Sequence, residues 1–289
     1  MTLTPEQILV AAKQLLRDHE EELAPASAHG HTVPQETGTE QVYDKSQLSM
    51  VQGMNLMRIH RDYLAHAIRY EFLISRIKAS GHSAMVLDIG CADVPLMRAM
   101  RSSMLRPAMY LGLDVRPKMI QKVKDYYSTH KVHFPFDAMY LDFTEAPDSI
   151  VDQPWTQVVC LEVIEHMPRG RGEMLLQNIT RALKSGGRGY ISTPVFNGDQ
   201  KARHHKYEWK LDELRQAMER AGLVILHQYG TFGNIYDLQR VLTVEERIVW
   251  DRLSQQTDGY YGSIALSLIF APLHPEAARN CIWVVKAAS

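Results

Sequence analysis

The chain has 289 residues, enough for one large domain or for one domain with appendages. Hydrophobic residues make up 45% and charged residues 22%, which excludes the composition of a disordered chain. A formal net charge of −1 supplies no overall basic field for nucleic acid, so that role would fall to a local basic rim.

Cys91, Cys160 and Cys281 are odd in number and far apart, which excludes a disulfide framework or zinc-finger spacing and fits a reducing compartment. There is no run of about 18 apolar residues and no basic-then-apolar leader pattern. The expectation is a cytoplasmic protein with no membrane partner. Nothing in the sequence sets an oligomeric state.

In chain order, Thr4-Pro5-Glu6-Gln7 reads as a capped helix start, and Ile8, Leu9, Ala12, Leu15 and Leu16 follow at helical spacing. Residues 24–41 are rich in Pro, Gly, Ser, Thr and His without periodicity and read as a flexible linker. This gives an N-terminal helix and linker over 1–41 and a main domain over 42–289. A second helical stretch, Met54 to Ile77, leads into the core. Its polar groups Arg61, Tyr63, His66, Arg69 and Tyr70 suggest either a lid over a ligand or the polar face of a packed helix.

From Ser83 onward, short apolar runs alternate with amphipathic helices. Ala84 to Asp88, Tyr110 to Asp114, Ala138 to Asp142, Val158 to Leu161 and Gly189 to Thr193 read as five strands. Leu223 to Gln228 and Cys281 to Lys286 complete a set of about seven. Helices are expected around Leu96 to Met104, Gly172 to Lys184 and Leu211 to Ala221. Thr243-Val-Glu-Glu246 is a capping box that opens another. Continuous apolar strands between helices imply a mostly parallel sheet covered on both faces, an α/β fold. The stretch at about 231–280 exceeds a hairpin connection and is expected to build part of a pocket.

Three strands end in acids, Asp88, Asp114 and Asp142, at the edge where open parallel sheets bind ligands. Small residues after Asp88 (Gly90, Cys91, Ala92) let backbone approach a ligand closely. For Asp93, capping of the following helix is expected. A dinucleotide-binding protein also uses a glycine loop and an acid about 20 residues later, but G-x-G-x-x-G is missing here.

The order Val86-Leu-Asp-Ile-Gly-Cys-Ala92, with the later acids, resembles motif I and its companions in the class I S-adenosylmethionine-dependent methyltransferases, over roughly residues 84 to 230. That resemblance implies a Rossmann-like methyltransferase sheet with an N-terminal helical arm. It puts Asp88, Gly90 and Ala92 beside the methionine part of the cofactor and Asp114 on both ribose hydroxyls. Asp142 and Phe143 would lie at the adenine, and the lid reading would bring Tyr63 or Arg61 near the methionine carboxylate. Ala92 departs from the glycine the family often has.

On the acceptor side, Glu162-Val-Ile-Glu165-His166 places Glu162, Glu165 and His166 at i, i+3 and i+4 if Val163 opens a helical turn. With the distant His204-His205-Lys-Tyr207-Glu-Trp209 and with Ser192-Thr-Pro194, this resembles Hen1-type small-RNA 2′-O-methyltransferases. That family's pattern implies a divalent metal, Mg²⁺ or Mn²⁺ among the candidates, held by Glu162, Glu165, His166 and His205. Glu-Val-Ile-Glu-His also resembles ubiquinone-biosynthesis-type O-methyltransferases, and on that alternative Glu165 is a solvated helix charge, His204 a loop residue, and no metal is bound. Glu162 also borders the cofactor, and His166 and Glu165 are the catalytic candidates, His166 as general base. The acceptor is a small molecule or an RNA, for which Arg169, Arg171, Lys201, Arg203 and Lys206 would form a phosphate rim. A non-catalytic, cofactor-binding regulatory protein is the alternative outside enzymes.

Overall fold

The computed structural model describes residues 61–288 apart from residues 131, 184–185, 197, 199–201 and 257–258. The helix and linker expected within 1–41 lie outside the described residues. The element order is α1 (Arg61–Ala79), β1 (Met85–Ile89), α2 (Pro95–Ser102), β2 (Met109–Asp114), α3 (Pro117–Thr129), β3 (Phe136–Tyr140) and α4 (Asp148–Val151). There follow β4 (Gln157–Leu161), α5 (Arg169–Ala182), β5 (Arg188–Pro194), α6 (Leu211–Arg220), β6 (Leu223–Gly233), α7 (Ile235–Val241), α8 (Val244–Gln256), α9 (Gly259–Phe270) and β7 (Ala278–Ala287).

The seven strands form one sheet in the order β3-β2-β1-β4-β5-β7-β6. β1 to β5 pair in parallel, while β7 runs antiparallel to both β5 and β6. The strand order turns back on itself between β1 and β4, which creates a crevice at the carboxyl ends of those strands.

Period-two alternation assigns the two faces. Leu87, Ile89, Leu111, Leu113, Val158 and Cys160 point into one core with α5 and α6. Val86, Tyr110, Val159 and Tyr190 point into the other with α1, α2 and α3. Both faces of the sheet are buried, so the strands read as unbroken apolar runs instead of alternating ones. All three cysteines are buried and free. Among the described residues, no helix is long and apolar enough to cross a membrane.

Several boundaries differ from the sequence reading. β3 ends at Tyr140, so Asp142 lies beyond it and instead caps the short helical turn Phe143–Glu145 through Thr144 N. β6 extends to Gly233, so the insertion runs from Asn234 to the short turn Pro275–Ala277. Val94, in the left-handed region, is the N-cap of α2; Asp93 binds Arg98 and does not cap the helix. The capping box holds: Thr243 Oγ1 accepts from Glu246 N, and Glu246 Oε2 accepts from Thr243 N.

The insertion leaves and rejoins the sheet at its carboxyl edge, because Gly233 pairs with Ala278 and Pro194 with Asn280. Its helices close over Leu238, Trp250, Leu266 and Phe270, part of the same core as α5 and α6. Gly230 is where it presses hardest on the sheet: a Cβ there would stand 2.2 Å from the Ala271 carbonyl oxygen. Backbone cannot yield as a flexible side chain can. Gly230→Ala is expected to cost about 2 kcal/mol of stability by overpacking, read as a lower urea midpoint; an unchanged midpoint would contradict this packing.

Candidate active site

Two groups of residues meet at the crevice, one from β1 and β2, the other from β4, β5 and the insertion's flanks. Gly90, with φ +73°, opens the loop after β1, and a Cβ on it would fall 2.3 Å from Val163 Cγ2. Only glycine lets the loop pass so close to the turn after β4. Two of the next residues are in the left-handed region: Ala92 has φ 48° and Val94 φ 60°. Ala92 therefore takes the left-handed conformation that glycine would take more cheaply, at a cost of about 1 kcal/mol. Gly90 N and Cys91 N both donate to Leu113 O, which ties the loop to the end of β2.

Asp114 is buried, and both its oxygens are engaged. Oδ1 accepts from Arg116 N (2.9 Å) and Nε (2.8 Å), while Oδ2 accepts from Arg116 Nη2 (2.9 Å) and Ala92 N (3.0 Å). Asp88, also buried, accepts a hydrogen bond from the Tyr110 hydroxyl. Desolvation raises its carboxyl to about 7 against the opposing Tyr110 bond, with Asp114 adding to the rise. Asp142 sits between Thr144 and Arg171, whose Nη2 lies 2.7 Å from Oδ2. Phe143 is buried beneath it.

On the other side, Glu162 directly follows β4 with φ 54°. Strain in a non-glycine residue persists only where neighbours over-determine it. Here Glu162 N donates to Ser192 O, Oε1 accepts from Ser192 Oγ (2.8 Å), and Oε2 accepts from Asn280 Nδ2 (2.7 Å). The buried guanidinium of Arg69, on α1, stands 3.5 Å from Oε1. The following turn, Ile164–His166, is 3-10 and not the α-helical turn that i, i+3, i+4 spacing presumes. Glu165 instead points inward, where Thr193 Oγ1 donates to Oε2 at 3.2 Å and Oε1 has no hydrogen-bond partner. Burial, reinforced by the charge of Glu162, pushes its carboxyl well above the usual range.

The Glu165 carbonyl accepts from Lys206 N (2.8 Å) and Tyr207 N (3.1 Å), which docks the loop after β5 on this turn. Three imidazoles converge as a result. Ring nitrogens of His166, His204 and His205 all lie within 4.8 Å of one another. The His205 Nδ1 is paired with Glu208, whose Oε1 also accepts from Ala202 N. Surrounding protein, ahead of the neighbouring His205, lowers the pKa of both His166 and His204.

The structure thus brings His166 and His205 together, adds His204, and places Glu162 and Glu165 in neighbouring but separate arrangements. Arg61, Tyr63 and His66 lie on α1, and their side chains lie outside the described ones. Arg169 and Arg171, expected in a basic rim, are paired with Glu173 and Glu213 and with Asp142 and Glu145. Sequence reasoning named Arg69 on the lid helix and quoted Thr193 and Glu208 within the acceptor motifs without giving them a role; it missed Arg116 and Asn280.

Residues 57–228, more than half of the chain, match the family described as Methyltransferase domain. The chain belongs to that family: it is a class I S-adenosylmethionine-dependent methyltransferase. The fold is shared with the methyltransferase solved with the Trm112 methyltransferase activator of Haloferax volcanii, at 17% identity over 86% of this chain and 96% of that one (TM-score 0.53). Magnesium protoporphyrin IX methyltransferase from Synechocystis PCC 6803 is similar at 13% identity over 86% and 95% (TM-score 0.53). The methyltransferase domain of bacterial CtHen1-C is similar at 13% identity over 78% and 100% (TM-score 0.50). No curated protein matches the sequence.

The raised Asp88 carboxyl has a stability consequence. Between its ordinary value of 3.8 and about 7, the native state holds a proton that the unfolded chain has released. Stability from this group is therefore greatest below that window and falls as pH rises through it. Asp88→Asn keeps an acceptor for Tyr110 and removes the titration. Its thermal midpoint is expected to fall less than the parent's between pH 4 and pH 8; parallel curves would refute the assignment.

Proposed function

We propose that the protein transfers a methyl group from S-adenosylmethionine to an acceptor hydroxyl, with a divalent cation beside the acceptor. The observation that carries this reading is the meeting of three imidazoles, His166, His204 and His205, at the carboxyl end of β4. Ring nitrogens gathered this closely suit a cation. A cation there would lower the pKa of the hydroxyl and fix its position.

The crevice fits the cofactor by the chemistry of its donors. Asp114 is an acceptor-only carboxylate at the end of β2, suited to a ribose diol, and the Arg116 fork must cede or share its oxygens when the diol arrives. The Gly90–Val94 bend brings backbone close to where the methionine portion would lie. Asp142 and Phe143 would border the adenine, beside the exposed side chain of Val115. Arg69 anchors α1 against Glu162, which supports α1 as the lid and Tyr63 and Arg61 as its contacts.

When bound, S-adenosylmethionine supplies a methyl group already activated on a sulfonium, so the protein's task is alignment and proton removal. The hydroxyl, made more acidic by the cation that His166 would help to hold, gives up its proton to solvent as the oxygen–methyl bond forms and S-adenosylhomocysteine departs. Glu165 holds the His204–Tyr207 loop through its carbonyl and so positions the other two rings. The acceptor is an RNA end with a free 2′-hydroxyl or a small catechol-like molecule, and the free, buried cysteines suit work in the cytoplasm.

Methyl transfer from labelled cofactor to each acceptor, with and without EDTA, tests this. Turnover on one hydroxyl acceptor is expected to fall at least tenfold with EDTA and again with His166→Ala. Transfer that ignores both treatments, or that goes to a nitrogen or carbon acceptor instead, would overturn it.

A further inference from the structure

We propose that His204 is a metal ligand, and that His166, His204 and His205 form an all-nitrogen site for a borderline transition ion of the Co²⁺, Ni²⁺ or Zn²⁺ type, with Glu162 and Glu165 outside it. This rests on the reading of a cation beside the acceptor but changes both its ligands and its identity. The Hen1-type resemblance gives His204 no role and makes both glutamates ligands.

The ring contacts argue for His204. Its centroid lies 4.4 Å from that of His205, and the two rings are nearly perpendicular at 79°. The His166 ring stands 5.2 Å from His205 and 5.3 Å from His204. Zinc-type ions bind imidazole nitrogen at roughly 2.0–2.1 Å, so two ligands of one ion stand roughly 3–4 Å apart. Nitrogens already within 4.8 Å need only small side-chain rotations to reach that spacing.

The support around the cluster is also that of a ligand site. A metal-bound imidazole commonly has its other ring nitrogen on a carboxylate, which fixes the ring and raises its basicity. Glu208 does this for His205 at Nδ1, leaving Nε2 as the donor atom. Glu208 is itself held by Ala202 N. Backbone bonds from Lys206 and Tyr207 to the Glu165 carbonyl clamp the two loops together. The rings are thus set in place by the fold before any ion arrives.

The carboxylates argue themselves out. Glu162 already satisfies Ser192 and Asn280 and faces the guanidinium of Arg69, so a cation would have to compete with a fixed positive charge. Glu165 is buried on the Thr193 side and is absent from the convergent group. Mg²⁺ demands oxygen ligands, whereas imidazole favours the later first-row ions.

The full-length protein, stripped with chelator and dialysed, is titrated with Co²⁺ while visible absorption is followed. The expected result is a d–d band at one equivalent that Zn²⁺ abolishes and a hundredfold excess of Mg²⁺ leaves in place. His204→Ala should weaken Co²⁺ binding at least tenfold, and Glu208→Gln by roughly 10–100-fold. Glu162→Gln should bind as the parent does. Far-ultraviolet circular dichroism checks that each variant is folded. Displacement by Mg²⁺, unchanged affinity in His204→Ala, or loss of binding in Glu162→Gln would each overturn the assignment. Methyl transfer that ignores EDTA while the Co²⁺ band is intact would instead sink the catalytic role of the ion and leave the site standing.

Discussion

The approach of Gly90 to Val163 is the contact on which the rest of the site depends. β1 and β4 are neighbours, and the chain leaves them in opposite directions along the sheet, so their two exit loops must pass each other. A side chain at position 90 would collide with Val163 at 2.3 Å. Without one, the loop that carries the Ala92 amide to Asp114 lies against the turn that carries Glu162, Glu165 and His166. The methyl donor and the acceptor groups can therefore share one crevice. The strained φ values of Ala92, Val94 and Glu162 mark the same place.

Charge at the crevice is unevenly arranged. Toward β2 and β3, carboxylates are matched by arginines, Asp114 with Arg116 and Asp142 with Arg171. Toward β4 and β5, Glu162 is matched by Arg69, while Glu165 retains an oxygen with no hydrogen-bond partner and the imidazoles lie close together. Buried ionisable groups left in this state are costly, and in general they persist where function requires them. This asymmetry separates a half of the crevice whose charges are matched from a half where a buried carboxyl and three imidazoles crowd together.

The fold was readable because the physics behind it is local. Apolar runs such as Val158 to Leu161, separated by amphipathic helices, specify buried parallel strands wherever they occur. The acids Asp88 and Asp114 were readable as strand ends for the same reason. Asp142 was placed too early, since β3 stops at Tyr140 and the acid serves a turn. The acceptor side was half-readable. His166 and His205 do meet, but the turn after β4 is 3-10 where i, i+3, i+4 spacing presumes an α-helical one, and Glu162 and Glu165 bond to Ser192, Asn280 and Thr193. Arg69 and Asn280 stand 93 and 118 residues from Glu162, and no short-range pattern records such pairings.

The central claim is that the Asp114 carboxylate receives the cofactor at the end of β2. Calorimetric titration of the full-length protein with S-adenosylhomocysteine tests it most directly. One site per chain is expected, with Asp114→Ala weakening binding at least tenfold, more than about 1.4 kcal/mol. Arg116→Ala should bind more tightly than the parent, because the fork that occupies both oxygens is gone. Equal affinity in the parent and Asp114→Ala would contradict the account.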